Sequence, residues 1–241
     1  MKKWILSNGY TITRVATGRS NAYLMETPAE NLLVDTSGKP ARRRILRNLK
    51  KAGIARLHRI ILTHSHFDHC DNAAYLKTMF GCALIVEEHA REIGPRGKSP
   101  LPGGTLLFSK ILVSLGKYLP SKFFSPVPFE ADTWASGSLS LKKEGMDIEL
   151  LATPGHSADS LSVLVNREVA IVGDTLFGII PGSVFPPFAD DVPRMLESWD
   201  RLLKTGCRLF LPGHGSVRTR EELARGYQKH IRRCKVKISI D

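Results

Sequence analysis

The sequence predicts an α/β (α+β) chain folded as a four-layer αββα sandwich, one domain over residues 1–241 with an apolar insertion at about 94–131. Three observations predict it. Apolar residues make up 42% of 241, which suits a sizeable core and argues against disorder. Short alternating or apolar runs follow one another in the order strands, helix, strand, helix, strand, and that order then repeats. No short-period repeat or low-complexity tract interrupts it. Two β-rich halves with helices outside suggest two sheets stacked face to face.

The elements follow in order. YTITRV, AYLM and NLLVD read as an antiparallel β region. ARRRILRNLKKAG, Ala41 to Gly53, places Ile45, Leu46 and Leu49 on one helix face with charges opposite, and Gly53 stops it. LHRIILT reads as a strand, and DNAAYLKTMFG as a helix opening on Asp71 and closing on Gly81. ALIVE, Ala83 to Glu87, is the next strand. Gly94 to Gly104 reads as loop from its Gly and Pro content. LLFSKILVSLGKYL, Leu106 to Leu119, is an unusually apolar helix, ended by Pro120 and followed by Pro126 and Pro128 without regular structure. From Trp134 the strands resume as GSLSL, MDIELLAT, LSVLV and VAIVGD. Pro193 to Gly206 is an amphipathic helix, RLFLP a strand, and Arg220 to Arg233 a final helix.

Lys and Arg number 35 against 23 Asp and Glu, a net charge of +12. Such a balance speaks to association and solubility: a solvated basic face, or an anionic partner such as nucleic acid, an acidic small molecule or a membrane surface. The excess lies mostly in the Ala41–Gly53 helix and in KHIRRCKVK near the C-terminus. The opening MKKWILSNGYTITRV is basic, but Ser7, Asn8 and Gly9 break its short apolar stretch, so no signal peptide is expected. No apolar run is long enough for a transmembrane helix. Cys70, Cys82, Cys207 and Cys234 form no CxxC pair and read as free thiols in a reducing cytoplasm, with Cys70 filling space beside the motif that follows.

THSHFDHCDN, Thr63 to Asn72, packs three histidines and two aspartates behind the apolar run RIIL. Alternate residues of an extended segment point the same way, so His64, His66 and Asp68 converge, while His69 turns in from the other side. Histidine and carboxylate are ligands that zinc favours, at about 2.0–2.2 Å. Further candidates follow other strands: TPGHS holds His156, VAIVGDT holds Asp174, and LPGHG holds His214. In both PGH motifs the Gly lets the backbone turn sharply. Five His and two Asp, each at a strand end, supply two adjacent metals and leave positions open for water and substrate. His58, His89 and His230 read as ordinary hydrogen-bonded histidines. Asp35, in LLVDTSG, either orients a ligand histidine or forms a turn.

HSHFDH, TPGHS, VGDTLF and LPGHG, in that order, resemble the metallo-β-lactamase superfamily from about Tyr10 to His214 and beyond. The resemblance implies its αββα sandwich with a dinuclear site where the two sheets meet. It places His64, His66 and His156 on a first metal, Asp68, His69 and His214 on a second, and Asp174 between them. It implies two Zn²⁺ per chain, with Fe or Mn as alternatives, and a metal-bridging hydroxide as nucleophile. Asp68 then orients that hydroxide and takes up its proton.

VGDTLF is similar to a segment of glyoxalase II-like thioester hydrolases, which points to a carboxylic thioester, ester or lactone. Cys70, Asp71 and Asn72 replace the usual Gly-Gly, and the short stretch after His214 argues against a glutathione-binding region. A phosphodiesterase or nuclease is the alternative favoured by the charge, although aromatic residues are only 7% and no recognition module is visible. A β-lactamase is a weaker expectation, because Asp174 departs from the pattern of those enzymes. A redox metalloprotein and a non-catalytic metal-binding protein are the remaining readings. Leu106 to Phe129 reads as a lid with an apolar wall for an acyl chain, a membrane contact, a helix packed on the core or a homodimer contact, which periodicity does not separate. FPPFADD, Phe185 to Asp191, is expected near the site, with Phe185 and Phe188 lining the pocket or anchoring the loop.

Overall fold

The computed structural model describes residues 1–99, 101–120 and 124–238, with side chains as far as Arg232. Residues 121–123 of the apolar insertion, the Cys234 thiol and the last lysines of the basic C-terminal stretch lie outside that description.

The first sheet runs β1 (Lys3–Ile5), β2 (Thr11–Ala16), β3 (Ala22–Glu26), β4 (Asn31–Val34), β5 (Arg59–Ile61), β6 (Ala83–Glu87) and β7 (Thr133–Ala135), in that spatial order. β1 to β4 pair antiparallel, as expected of short local connections, and β4 to β7 pair parallel. Parallel pairing needs crossovers. α1 (Arg42–Lys51) makes the first; α2 (Phe67–Cys70) and α3 (Ala73–Phe80) make the second. α4 (Ile93–Arg96) and α5 (Leu107–Gly116) lie in the third. The second sheet contains β8 (Ser138–Ser140), β9 (Ile148–Ala152), β10 (Leu161–Val165), β11 (Val169–Gly173), β12 (Leu209–Pro212) and β13 (Arg218–Thr219), in the spatial order β13-β12-β11-β10-β9-β8. α6 (Val192–Lys204) crosses from β11 to its parallel neighbour β12, and α7 (Arg220–Ile238) follows β13.

Four layers follow from the period-2 alternation of side chains. Tyr23 and Met25 of β3 meet Val163, Val165 and Ile171 of the second sheet in one shared core. The opposite faces, Ala22 and Leu24 on β3 and Ile60 on β5, pack on Ile45 and Leu49 of α1 and Leu76 of α3. Ala170 and Val172 of β11 pack on Met195, Trp199 and Leu202 of α6. Strands covered on both faces read as near-continuous apolar runs, as LSVLV and VAIVG do.

Several local expectations are corrected. Asp71 does not open the helix: Asn72 stands at the N-cap without a side-chain bond to the helix's first turn, and Asp71 instead accepts from the Val127 N–H at 3.1 Å. Gly94 to Gly104 is not all loop, since Ile93–Arg96 forms a helical turn ended by Gly97 in the left-handed region. β1, β7 and β13 are two or three residues long, too short for an alternation to register. Among the described residues no helix is long and apolar enough to cross a membrane.

Candidate metal centre

All seven predicted residues sit just beyond the C-terminal ends of strands that point to one edge. β5 delivers His64 and His66, β9 delivers His156, β11 delivers Asp174, and β12 delivers His214. Asp68 and His69 arrive differently from expectation. The chain leaves the extended conformation at His66, the N-cap of α2, so Asp68 and His69 project from a helical turn rather than from an alternating strand. Helical spacing brings them together because the turn starts on the histidine that ends the extended segment.

The seven converge. Ligand-type atoms of His64, His66 and His156 lie within 4.8 Å of one another, as do those of Asp68, His69 and His214, and those of His64, His69 and Asp174. His156 Nε2 is 3.0 Å from His66 Nδ1, and His69 Nε2 is 3.3 Å from His214 Nε2. The Asp174 carboxylate stands between the groups, with Oδ2 3.2 Å from His214 Nε2 and 3.7 Å from His156 Nε2. Asp68 Oδ2 is 3.4 Å from His214 Nε2.

The surroundings fix which nitrogen faces inward. His156 Nδ1 donates to the Phe188 carbonyl at 2.9 Å, and His69 Nδ1 donates to Asp35 Oδ2 at 2.8 Å, so in each ring it is Nε2 that faces the cluster. Thr63 donates its N–H and its hydroxyl to Asp35, both at 2.8 Å, which leaves the Thr63 oxygen to accept from His64 Nδ1 at 3.2 Å. His64 Nε2 is then buried with no partner, and so is Asp174 Oδ1, whose 3.3 Å contact with His69 Nε2 misses hydrogen-bond geometry. Two orphaned lone pairs in a buried site are costly unless a cation takes them.

Electrostatics agrees. Burial pushes the pKa of His64 well below the usual imidazole range, helped by the neighbouring rings, and burial lowers His66 and brings His156 to about 4. These rings are neutral, the form that binds metal. Burial opposes charge on His69 too, but Asp174 and Asp35 outweigh it and hold that pKa well above the usual range; Asp174 does the same for His214. Burial likewise works against ionised Asp174, yet His214 and His69 hold its carboxyl well below the usual range. The centre is built around positive charge, and its donors are those zinc, iron and manganese take.

The two PGH glycines serve different ends. Gly155 has φ +132, a turn an L side chain rarely makes. Gly213 has no unusual φ, but a Cβ there would strike Asp174 Oδ1 and the His69 ring, so its bare backbone leaves room for the cluster. His66, Asp68, His156, Asp174 and His214 also line a cavity of about 690 Å³, while His64 and His69 are buried behind them.

A model of the metallo-β-lactamase superfamily matches residues 15–214. The chain belongs to the metallo-β-lactamase superfamily. It is 26% identical over 200 residues to an atrochrysone carboxyl ACP thioesterase of Aspergillus fumigatus, an alignment covering 82% of this chain and 51% of that one. It is 25% identical over 201 residues to a probable metallo-hydrolase of Methanocaldococcus jannaschii, covering 82% and 88%. The chain thus spans about half the length of the fungal relative and most of the archaeal one. A solved metallo-β-lactamase family protein of Thermus thermophilus shares the fold, with a TM-score of 0.68 at 22% identity over 96% of this chain and 82% of that one.

Several neighbours that brace this cluster escaped the sequence. Asp159 accepts from the Ser65 N–H at 2.8 Å and so braces the β5 loop against the β9 loop, across the two sheets. Its only signal is a polar residue three positions beyond His156. Asp35 proves to be both readings at once: a partner of His69 and a turn residue with φ 60. Asn72 donates to the carbonyls of Thr36, Ser37 and Gly38, clamping the strained turn that holds Asp35. Phe177, from VGDTLF, stacks on His214 with ring centroids 4.8 Å apart. The set-aside histidines have other partners: His58 accepts from the Asn31 N–H, His89 meets Glu87, and His230 stacks on Phe185.

Proposed function

We propose that this chain is a two-metal hydrolase of carboxylic thioesters, esters or lactones. The observation that carries the reading is the convergence of seven His and Asp side chains around buried, unpartnered His64 Nε2 and Asp174 Oδ1. His64, His66 and His156 would hold one ion, Asp68, His69 and His214 the other, and Asp174 would face both. When bound, such ions would acidify a water and stabilise charge building on the carbonyl oxygen. The rest falls to the chain itself. Asp35 and the Phe188 carbonyl keep the His69 and His156 rings in the tautomer that binds. Asp68, with a side chain 15% exposed on the cavity wall, orients the attacking water and accepts its proton. In the net reaction an O–C bond forms at the acyl carbon, the C–S or C–O bond breaks, and the leaving sulfur or oxygen departs with a proton.

The thioester preference draws support from the name of the fungal relative. A phosphodiesterase is the second reading, favoured by the net charge of +12. Zinc as the ion is supported by the donor set, and a reducing compartment by three buried, unpaired cysteines, Cys70, Cys82 and Cys207. One core shared by both sheets supports a single domain. The test compares initial rates on an acyl thioester and a phosphodiester with zinc-loaded protein, using His66→Ala as blank. Thioester turnover far above the blank is expected. Phosphodiester turnover with little thioester cleavage would overturn the choice of substrate, and full turnover by His66→Ala would overturn the site.

A further inference from the structure

The cavity that opens on the metal centre has a one-sided chemistry. Beyond the His and Asp residues at its floor, its described walls carry one polar side chain, the Ser183 hydroxyl, and no lysine or arginine. That is notable in a chain with 35 basic residues. Six of the thirteen large apolar side chains exposed among the described residues, Phe108, Leu112, Leu115, Leu119, Ile179 and Ile180, face this one cavity. Such a concentration of wet apolar surface marks a place that something apolar covers.

The wall is also held in register with the site. Thr105, at the entry to α5, donates its N–H to the Pro187 carbonyl at 3.0 Å and its hydroxyl to the Pro186 carbonyl at 2.6 Å. Gly104 bridges to Phe188, whose carbonyl holds His156. The apolar helix and a proposed metal ligand are thus fastened to the same short loop.

We propose that the substrate carries a long, uncharged acyl group that lies in this cavity against α5, so that acyl-chain length sets specificity. This rests on the hydrolase reading, because the floor of the cavity is where the acyl carbon would react. Polar or charged acyl groups would lose their water against a wall that offers almost no hydrogen bonds. Each methylene buried is expected to strengthen binding about fourfold until the cavity is full.

Two measurements on the full chain test it separately from the chemistry. Hexanol, octanol and decanol are titrated against the uncharged fluorophore N-phenyl-1-naphthylamine, without reference to turnover. The expected result is affinity rising about fourfold per methylene and lost in Leu112→Asp. Leu112 is 54% exposed, so the substitution leaves the core alone; Leu112→Trp, which stays apolar, is expected to shift the preference to shorter chains. Affinity that ignores chain length, or is indifferent to Leu112→Asp, overturns the proposal. In the second measurement, zinc-loaded protein cleaves decanoyl and acetyl thioesters of N-acetylcysteamine. A ratio of kcat/KM strongly favouring decanoyl, collapsing in Leu112→Asp, supports the proposal, and a ratio at or below one overturns it. Cleavage of neither thioester, with length-dependent alkanol binding intact, would overturn the hydrolase reading while supporting the apolar-chain site.

Discussion

Replacing Asp35 with asparagine isolates the support of the metal centre from its ligands. Asp35 is 1% exposed, and its carboxylate takes the His69 ring and both Thr63 donors at 2.8 Å each. Asparagine keeps the shape and tolerates φ 60, where alanine would add about 1–2 kcal/mol of backbone strain. It loses the charge, and its NH₂ must face either Thr63 or His69, donor against donor. One buried donor left unpaired costs about 1–3 kcal/mol of stability. Loss of a carboxylate behind a metal-binding histidine weakens metal affinity or activity by about 10- to 100-fold. Zinc affinity measured by chelator competition, alongside thermal unfolding of the metal-free protein, separates the two effects. Wild-type zinc affinity and turnover in Asp35→Asn would refute the claim that Asp35 sets the His69 tautomer for binding.

Three further outcomes follow from the geometry. Gly213→Ala is expected to lower zinc affinity by at least about tenfold, since its Cβ would strike Asp174 and His69; unchanged zinc content would show that the cluster tolerates the displacement. Zinc affinity should rise as pH is raised past the ordinary imidazole range, because Asp174 and Asp35 hold His69, and Asp174 holds His214, in the protonated form that a cation must displace. Calorimetry in buffers of different ionisation enthalpy reads the released protons, and pH-independent binding would contradict the sign. Trp199 is fully buried and donates Nε1 to the Thr175 carbonyl at 2.7 Å, next to Asp174. Trp199→Phe should therefore cost about 1–3 kcal/mol in urea unfolding, and an unchanged midpoint would refute that estimate.

The residues of the centre were legible because they sit where apolar runs stop. VAIVG buries both faces, and the ionisable Asp174 directly after it has to have a partner. The same logic revealed the layers, since the runs are long enough for their period to register. What escaped the sequence rests on long-range pairing or on backbone. Asp159 is one polar loop residue among many until the fold lays it against Ser65, and the Phe188 carbonyl has no side-chain signature at all. Asp68 was expected to reach the cluster from an extended segment but reaches it from a helical turn, because four residues of helix are too few to show a 3.6 period. β1, β7 and β13 owe their pairing to neighbouring strands rather than to their own composition. The apolar segment around α5 was recognisable as unusual, but only the fold shows that its exposed face turns toward the metal centre.

The most direct test of the account counts metal. Purified protein dialysed against zinc is analysed for bound ion, beside His66→Ala and His214→Ala, one from each proposed triad. Two equivalents per chain in the wild type, and loss from both variants, is the expected result. A single equivalent unaffected by His214→Ala, or no bound zinc, iron or manganese at all, would contradict the two-metal centre.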